Sequence, residues 1–143
     1  MVINIKTAKT KKDKGKCFSI RRKVFVKEQN ISEEIEFDDE NIDATYFLAQ
    51  YKNIFVGTAR YRFTDFGIKL ERFAVLKSYR NLGVGKNLAL YILNSIKGEK
   101  VIYLHAQKSV IDFYSKLGFK RIGSQFFEAE IPHQKMIYKH RNR

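Results

Sequence analysis

The segment that determines the fold is Glu71-Arg72-Phe73-Ala74-Val75-Leu76-Lys77-Ser78-Tyr79-Arg80-Asn81-Leu82-Gly83-Val84-Gly85-Lys86. Its pattern predicts a strand, a tight loop and the beginning of a helix. Gly83 and Gly85 allow the backbone to turn sharply and to approach a ligand closely. The first N–H groups of the helix lack partners within the helix and lie at its positive end. The segment therefore predicts a binding site for an anion such as a phosphate group.

Two common phosphate-binding loops do not match this segment. A Walker A loop needs glycine at position 80 and serine or threonine at 87, where the chain has Arg80 and Asn87. A dinucleotide-binding fingerprint needs glycine at 88, where Leu88 stands. Taken alone, the two glycines are also compatible with an ordinary strand-to-helix turn.

Hydrophobic periodicity predicts alternating strands and amphipathic helices in the rest of the chain. The predicted strands lie at 2–7, 45–50, 54–63, 68–76, 101–106, 119–122 and 135–139. The predicted helices lie at 14–26 and 109–118, with a further apolar stripe at 88–96 that Gly98 ends and a helical turn near 32–35. This order predicts one domain over residues 1–143, with a mixed sheet and helices packed on it, in the α/β (α+β) class.

Composition excludes several classes of protein. The chain has 143 residues, of which 44% are hydrophobic, so it can form one compact core and is not disordered throughout. No apolar stretch approaches the ~20 residues that cross a bilayer, and the N-terminus lacks the layout of a signal peptide. We therefore expect a cytoplasmic protein without a membrane partner. Cys17 lies on the apolar stripe of the first helix, where a nucleophilic role is not expected, and no spacing of His, Cys, Asp and Glu predicts a metal site.

The charge of the chain is strongly positive and unevenly distributed. The formal net charge is +13. The segment 28–43 is the exception, because it holds eight carboxylates, which are Glu28, Glu33, Glu34, Glu36, Asp38, Asp39, Glu40 and Asp43. A positive field favours anionic partners such as nucleic acid or a phosphorylated cofactor, although a lysine-rich solvated surface explains the composition equally well.

Several motifs along the chain resemble one family. The segment Arg80-Asn81-Leu82-Gly83-Val84-Gly85 resembles the Q/R-x-x-G-x-G/A pyrophosphate loop of the GCN5-related N-acetyltransferase (GNAT) superfamily. Leu104-His105-Ala106-Gln107 and Phe113-Tyr114-Ser115-Lys116-Leu117-Gly118-Phe119 are similar to the fifth strand and the following helix of that family. The segments 20–29, 126–129 and 131–136 resemble the small bacterial ElaA-like or YjcF-like acetyltransferases. This resemblance covers nearly the whole chain and implies the GNAT fold, a mostly antiparallel sheet of about six to seven strands with about four helices.

One stretch departs from the pattern of that subfamily. Where a histidine is expected in an Asp-x-x-Ala/Thr-His stretch, the chain reads Asp43-Ala44-Thr45-Tyr46-Phe47. The role of that histidine therefore cannot be transferred to this chain, and Tyr46 leaves the acceptor preference open.

The resemblance implies transfer of the acetyl group of acetyl-CoA to an amine by direct attack within a ternary complex. The pyrophosphate of the coenzyme would be held by loop residues, which are Arg80, Asn81, Leu82, Gly83, Val84, Gly85 and Lys86. The pantetheine amides would pair with the strand backbone of Phe73, Ala74 and Val75, where an N–H is expected to stabilise the oxyanion. Gln107 and Phe113, from the two downstream motifs, complete the expected coenzyme site.

Tyr114 is the expected general acid. The departing thiolate needs a proton, because a free thiol has a pKa of about 8.5. The position of Tyr114 on its helix matches the general acid of the family, although an aromatic residue on an apolar helix face is also typical of a core.

Glu71 is the expected general base. The acceptor amine arrives as an ammonium and can attack only after it loses a proton. The resemblance places a carboxylate at position 71, and a salt bridge to Arg60 or Arg62 is the alternative interpretation. Glu28, His133 or a chain of water molecules are the other candidates. His105 lies in the middle of a predicted strand and is expected to be a core side chain.

Two other classes of function stay open at this point. A non-catalytic acyl-CoA-binding protein would keep the glycine loop without an acid and a base. A basic nucleic-acid-binding protein would use the +13 charge, although the chain has no helix-turn-helix or RNA-recognition motif. The amine acceptor, a small molecule or a protein, is not determined by the fold, and a homodimer is compatible with the resemblance.

Overall fold

One sheet of eight strands forms the centre of the protein, whose computed structural model describes residues 2–37, 42–98 and 100–139. The strands are β1 (Ile3–Ala8), β2 (Thr45–Tyr51), β3 (Ile54–Phe63), β4 (Ile68–Val75), β5 (Ile102–Gln107), β6 (Phe119–Arg121), β7 (Phe126–Glu128) and β8 (Ile131–Tyr138). Their order is β1-β2-β3-β4-β5-β8-β6, and β7 pairs with β8. The pairing of β4 with β5 is parallel, and the other pairings described are antiparallel. The mixed class and the mostly antiparallel sheet are confirmed.

Within the described residues, four α-helices flank the sheet, and they are α1 (Lys11–Arg21), α2 (Glu33–Glu36), α3 (Val84–Ser95) and α4 (Ile111–Lys116). α1 begins three residues earlier than predicted, because the side chain of Thr10 accepts a hydrogen bond from the N–H of Asp13 and caps the helix. It continues as a π-helix over Arg22–Glu28. Among the helices in the described ranges, none combines the length and the hydrophobicity that a membrane span requires. Asp38, Asp39 and Glu40 of the acidic stretch lie outside the described residues.

The sheet separates two apolar clusters. Leu88 and Ile92 of α3 pack in one cluster with Phe47 of β2. Ile20 of α1 packs in the other cluster with Leu48 of β2. Phe47 and Leu48 are neighbours in the chain and face opposite sides because side chains alternate along a strand. We call the first side the α3–α4 face and the second the α1 face.

The C-terminal third differs most from the prediction. β7 was not predicted, and β8 begins at Ile131 rather than at residue 135. The two strands form a hairpin whose turn residues, Ala129 and Glu130, have φ values of 49° and 63°. Such a turn typically contains asparagine or glycine. Because this turn contains neither, the sequence does not predict it. The sheet therefore has eight strands where about six or seven were expected.

Candidate active site

The site lies where β4 and β5 separate. Their parallel pairing ends at Leu70 opposite Leu104. Beyond that point no pairing joins the two strands in the described chain, although β4 continues to Val75 and β5 to Gln107. A cavity of about 670 Å³ occupies the opening. Backbone groups along its walls can pair with an extended ligand in the manner of an added strand.

A β-bulge in β4 shapes one wall of this cavity. Arg72 and Phe73 together lie opposite one residue of β3, because the register shifts between Thr58 and Arg60. Arg72 has a φ of 57°, which is unusual for a residue with a side chain. The extra residue reverses the alternation of β4, so Ala74 packs on the α1 face. The bulge therefore changes the direction in which the following residues of β4 point, in the middle of the site.

α3 begins at the edge of the same cavity. Gly83 precedes the helix with a φ of +88°, a conformation that glycine adopts without strain, and it supplies no side-chain cap. The N–H groups of the first turn, at Val84, Gly85 and Lys86, have no acceptor within the helix. Gly85 has a packing reason as well, because a Cβ there would lie 3.3 Å from Cζ of Phe113. The beginning of α3 therefore presents donors and positive potential to an anion.

The structure brings nearly all of the residues expected at the coenzyme site together. The expected residues that line the cavity are Phe73, Ala74, Val75, Arg80, Asn81, Gly83, Val84, Gly85, Lys86, Gln107 and Phe113. Leu82 does not line it, and this residue is 47% exposed. A direct contact of the Leu82 side chain with a ligand in the cavity is thus not supported.

Tyr114 of α4 is buried and lines the cavity at the same time. Its ring centroid lies 5.7 Å from that of Phe73 and 5.9 Å from that of Phe119. Burial raises the pKa of Tyr114 above its ordinary value. The phenol therefore stays protonated at neutral pH, which a proton donor requires. Both interpretations of this residue, as a core aromatic and as a cavity residue, describe what the structure shows.

Glu71 is held by cations. Its Oε2 accepts hydrogen bonds from Nε of Arg60 at 2.6 Å and from Nε of Arg62 at 3.0 Å, and Oε1 lies 3.4 Å from Nζ of Lys69. Burial alone would raise the pKa of Glu71, but the surrounding cations, led by Arg60 and Arg72, lower it to about 2. A carboxylate with this pKa is a weak base. The salt-bridge interpretation of Glu71 is therefore the one that its contacts favour.

Glu28, another candidate for the base, is bound to the glycine loop. Its Oε1 accepts a hydrogen bond from Nη2 of Arg80 at 2.6 Å, and its Oε2 accepts one from Nη1. Nε of Arg80 donates to the carbonyl of Val75 at 2.9 Å. The hydrogen bond from Arg80 lowers the pKa of Glu28. The guanidinium expected to meet the pyrophosphate is thus already paired with a carboxylate.

Two histidines line the cavity, and one of them was expected elsewhere. Nδ1 of His133 lies 2.7 Å from the carbonyl of Ile131. His105 was expected in the core, but its side chain lines the cavity and its Nδ1 lies 2.7 Å from Oε1 of Glu128. The sequence did not predict the pair of His105 and Glu128, because Glu128 lies on β7, a strand that was not predicted.

Tyr46, the residue at the expected histidine position, is buried and does not line this cavity. Its hydroxyl lies 3.3 Å from Nη1 of Arg60, whose Nε donates to Glu71. Tyr46 therefore contacts the site only through Arg60 among the contacts described.

Other chemistry has little support among the described residues. No group of three or more His, Cys, Asp and Glu side chains lies together there in a way that could hold a metal ion. Cys17 is buried, with its Sγ 3.7 Å from the carbonyl of Phe47, and burial raises the pKa of its thiol.

The mixed sheet that opens between β4 and β5 is consistent with the GNAT fold. The chain belongs to the GNAT acetyltransferase family, because the model of the acetyltransferase (GNAT) domain matches residues 7–140. The uncharacterized N-acetyltransferase YjcF of Bacillus subtilis (strain 168) is 35% identical in an alignment of 133 residues that covers 91% of this chain and 95% of YjcF. The predicted membership of the GNAT superfamily is confirmed.

Solved structures agree with this assignment. The crystal structure of Escherichia coli ElaA has a TM-score of 0.84 at 25% identity and covers 96% of this chain and 100% of ElaA. The PaiA N-acetyltransferase from Thermoplasma acidophilum, solved in complex with coenzyme A, has a TM-score of 0.73 at 18% identity, over 98% of this chain and 100% of PaiA. The second likeness is one of fold alone.

Proposed function

We propose that this protein is an N-acetyltransferase that moves the acetyl group of acetyl-CoA to a primary amine by direct attack within a ternary complex. The observation that carries the proposal is the separation of β4 and β5 beside the glycine loop of α3, within one cavity that also contains Tyr114. The GNAT family membership and the coenzyme A complex of PaiA support the same donor.

The coenzyme end of the cavity comprises Phe73–Val75 and Arg80–Lys86. A pyrophosphate at the loop would accept hydrogen bonds from the first N–H groups of α3, with Lys86 adding charge. A pantetheine arm would extend along Phe73–Val75 toward the point where β4 and β5 meet, pairing its amides with the edge of β4 that β5 does not cover. An N–H of this strand would stabilise the oxyanion formed from the thioester.

The acceptor end comprises Lys69–Arg72, His105 and Glu128. Lys69 and Tyr103 are partners in the parallel ladder, so His105, two residues further on, lies on the same side of the sheet as Lys69 and Glu71. Tyr114 belongs to the cluster on the α3–α4 face. The two ends would therefore meet at the thioester, with Tyr114 donating a proton to the departing sulfur from the opposite face.

The test is a measurement of free thiol released from acetyl-CoA in the presence of a panel of amines, together with calorimetric titration of acetyl-CoA. We expect binding at concentrations up to about 1 mM, the upper end of ordinary KM values, and thiol release with at least one amine. Failure to bind acetyl-CoA would contradict the proposal. Binding without release for any amine would instead favour a non-catalytic acyl-CoA-binding protein.

A further inference from the structure

His105 and Glu128 form a hydrogen-bonded pair that lines the cavity. Nδ1 of His105 and Oε1 of Glu128 are 2.7 Å apart, and since an ionised carboxylate only accepts, Nδ1 must carry the hydrogen. This leaves Nε2 as the nitrogen that can take a proton. The ring of Phe126 lies 4.9 Å from that of His105 at an interplanar angle of 77°, and the ring of Tyr103 lies 5.8 Å away. The imidazole is thus fixed by a carboxylate and two aromatic rings.

The position of His105 along β5 matches the place where the reaction would occur. His105 is the first residue after Leu104, the last residue of β5 that pairs with β4. Glu71 occupies the corresponding position on β4, but its contacts with Arg60 and Arg62 make it a poor base. His105 therefore lies at the point where the strands diverge, on the acceptor side.

We propose that His105 is the general base of the acetyl transfer and that Glu128 orients its ring and stabilises its protonated form. This proposal rests on the proposed N-acetyltransferase function. The acceptor ammonium gives one proton to Nε2 of His105, and the freed lone pair attacks the thioester carbon. The C–N bond forms and the C–S bond breaks.

The protons balance with Tyr114 as the acid. Tyr114 protonates the departing sulfur, and the second proton of the attacking nitrogen restores the phenol through solvent. His105 releases the first proton to water, so an ammonium and a thioester become an amide, a thiol and one free proton. The arrangement is a base oriented by a carboxylate, as in other proton-transfer sites.

His133 is the competing base, and its partner differs. Nδ1 of His133 faces the neutral carbonyl of Ile131, which gives a protonated imidazole less stabilisation than a carboxylate does.

The other charged groups near the pair of His105 and Glu128 are Lys69 on β4 and Lys135 on β8. Nζ of Lys135 lies 3.4 Å from the ring centroid of Phe66. The hydrogen bond from His105 lowers the pKa of Glu128, which keeps that carboxylate ionised.

The experiment compares the full chain with His105→Gln, His105→Ala, Glu128→Gln and His133→Gln, using one amine that the panel identifies. The value of kcat/KM for the amine is measured from pH 6 to 10 at saturating acetyl-CoA, and the Kd of acetyl-CoA is measured for each variant. We expect His105→Gln to lower kcat/KM at pH 7 by about 100-fold, with the Kd changed less than about 2-fold. The rate should recover toward high pH, where the amine is already neutral.

Two further readouts separate proton transfer from structural support. Added imidazole should restore part of the activity of His105→Ala, because it can enter the space of the missing ring. Glu128→Gln should move the acidic limb of the pH profile to lower pH, because an amide stabilises the imidazolium less than a carboxylate does.

An unchanged pH profile in His105→Gln, or loss of the acidic limb in His133→Gln instead, would overturn the assignment of His105 while the transferase activity of the unaltered protein stands. Absence of turnover by the unaltered protein with every amine would contradict the proposed function itself, and the assignment with it.

Discussion

At the proposed coenzyme end of the cavity the groups available to a ligand belong mainly to the backbone, whereas at the proposed acceptor end they belong to charged side chains. Gly83 and Gly85 expose N–H groups at the beginning of α3. Glu71, Arg72 and His105 form ion pairs and hydrogen bonds with residues from other strands and helices. A backbone site can serve any molecule that carries a pyrophosphate, while a side-chain site can vary without altering the fold. The comparison indicates why the coenzyme is easier to infer than the acceptor.

The largest effect is expected at the coenzyme end. Gly83→Val should weaken acetyl-CoA binding by about 1,000-fold, because a β-branched residue is strained at positive φ and its methyl groups would cover the N–H donors. Titration calorimetry measures the Kd. Gly98→Val is the matched control, because Gly98 also has a positive φ, of +78°, with nothing near its Cβ. Equal binding by both variants would show that the backbone of the loop does not hold the coenzyme.

At the proposed acceptor end, the largest expected effect is on the stability of the fold. Glu71→Gln should lower the free energy of unfolding at pH 7 by about 3 kcal/mol, because the buried Arg60 guanidinium loses the negative charge of a buried carboxylate. Urea unfolding measures this change. Glu34→Gln, at an exposed position of α2, is the control and should change stability by less than about 0.5 kcal/mol.

The same carboxylate predicts a pH dependence of stability. The pKa of Glu71 is about 2 in the folded protein and 4.5 for an ordinary carboxyl group. Its contribution is therefore complete above about pH 4.5 and is lost as the pH falls through about 2. The unaltered protein should lose more stability than Glu71→Gln between these values, and parallel curves for the two proteins would contradict this account.

The next prediction concerns Tyr114, which lies between the two proposed ends of the cavity. Tyr114→Phe should lower kcat by about 100-fold while the Kd of acetyl-CoA changes less than about 2-fold, because only proton donation to the sulfur is lost. Steady-state kinetics and calorimetry provide the two values. Tyr91→Phe, at an exposed position of α3, is the control. An unchanged kcat in Tyr114→Phe would remove this residue from the mechanism.

The smallest effect concerns the contact between Glu28 and Arg80. Glu28→Gln should strengthen acetyl-CoA binding by about 2- to 5-fold at low salt, because Arg80 would no longer have to break an ion pair with Glu28 before it binds a phosphate. The effect is small because a partly exposed ion pair contributes at most about 1 kcal/mol. Glu33→Gln, which breaks the exposed pair with Arg22, is the control. Weaker binding by Glu28→Gln would mean that Glu28 positions Arg80 instead.

The errors of sequence reasoning fall mainly at the acceptor end. β7 was missed because its turn, at Ala129 and Glu130, carries no glycine despite positive φ values. His105 was assigned to the core because the residue pattern of a strand does not show where a neighbouring strand stops pairing with it. The cavity lies where β5 parts from β4 after Leu104, next to the bulge at Arg72, and both features involve pairing between segments that are distant in the chain.

Local sequence patterns were enough to predict the class, most of the strands and helices and the glycine loop, because periodicity and backbone freedom are encoded by a few adjacent residues. The partners of the charged side chains described at the site follow from the packing of distant segments. Glu71 is surrounded by cations from β3 and β4, Arg80 is bound to Glu28, and His105 is paired with Glu128 from β7. Electrostatic interactions depend on distances between residues far apart in the chain, and only the folded sheet fixes those distances.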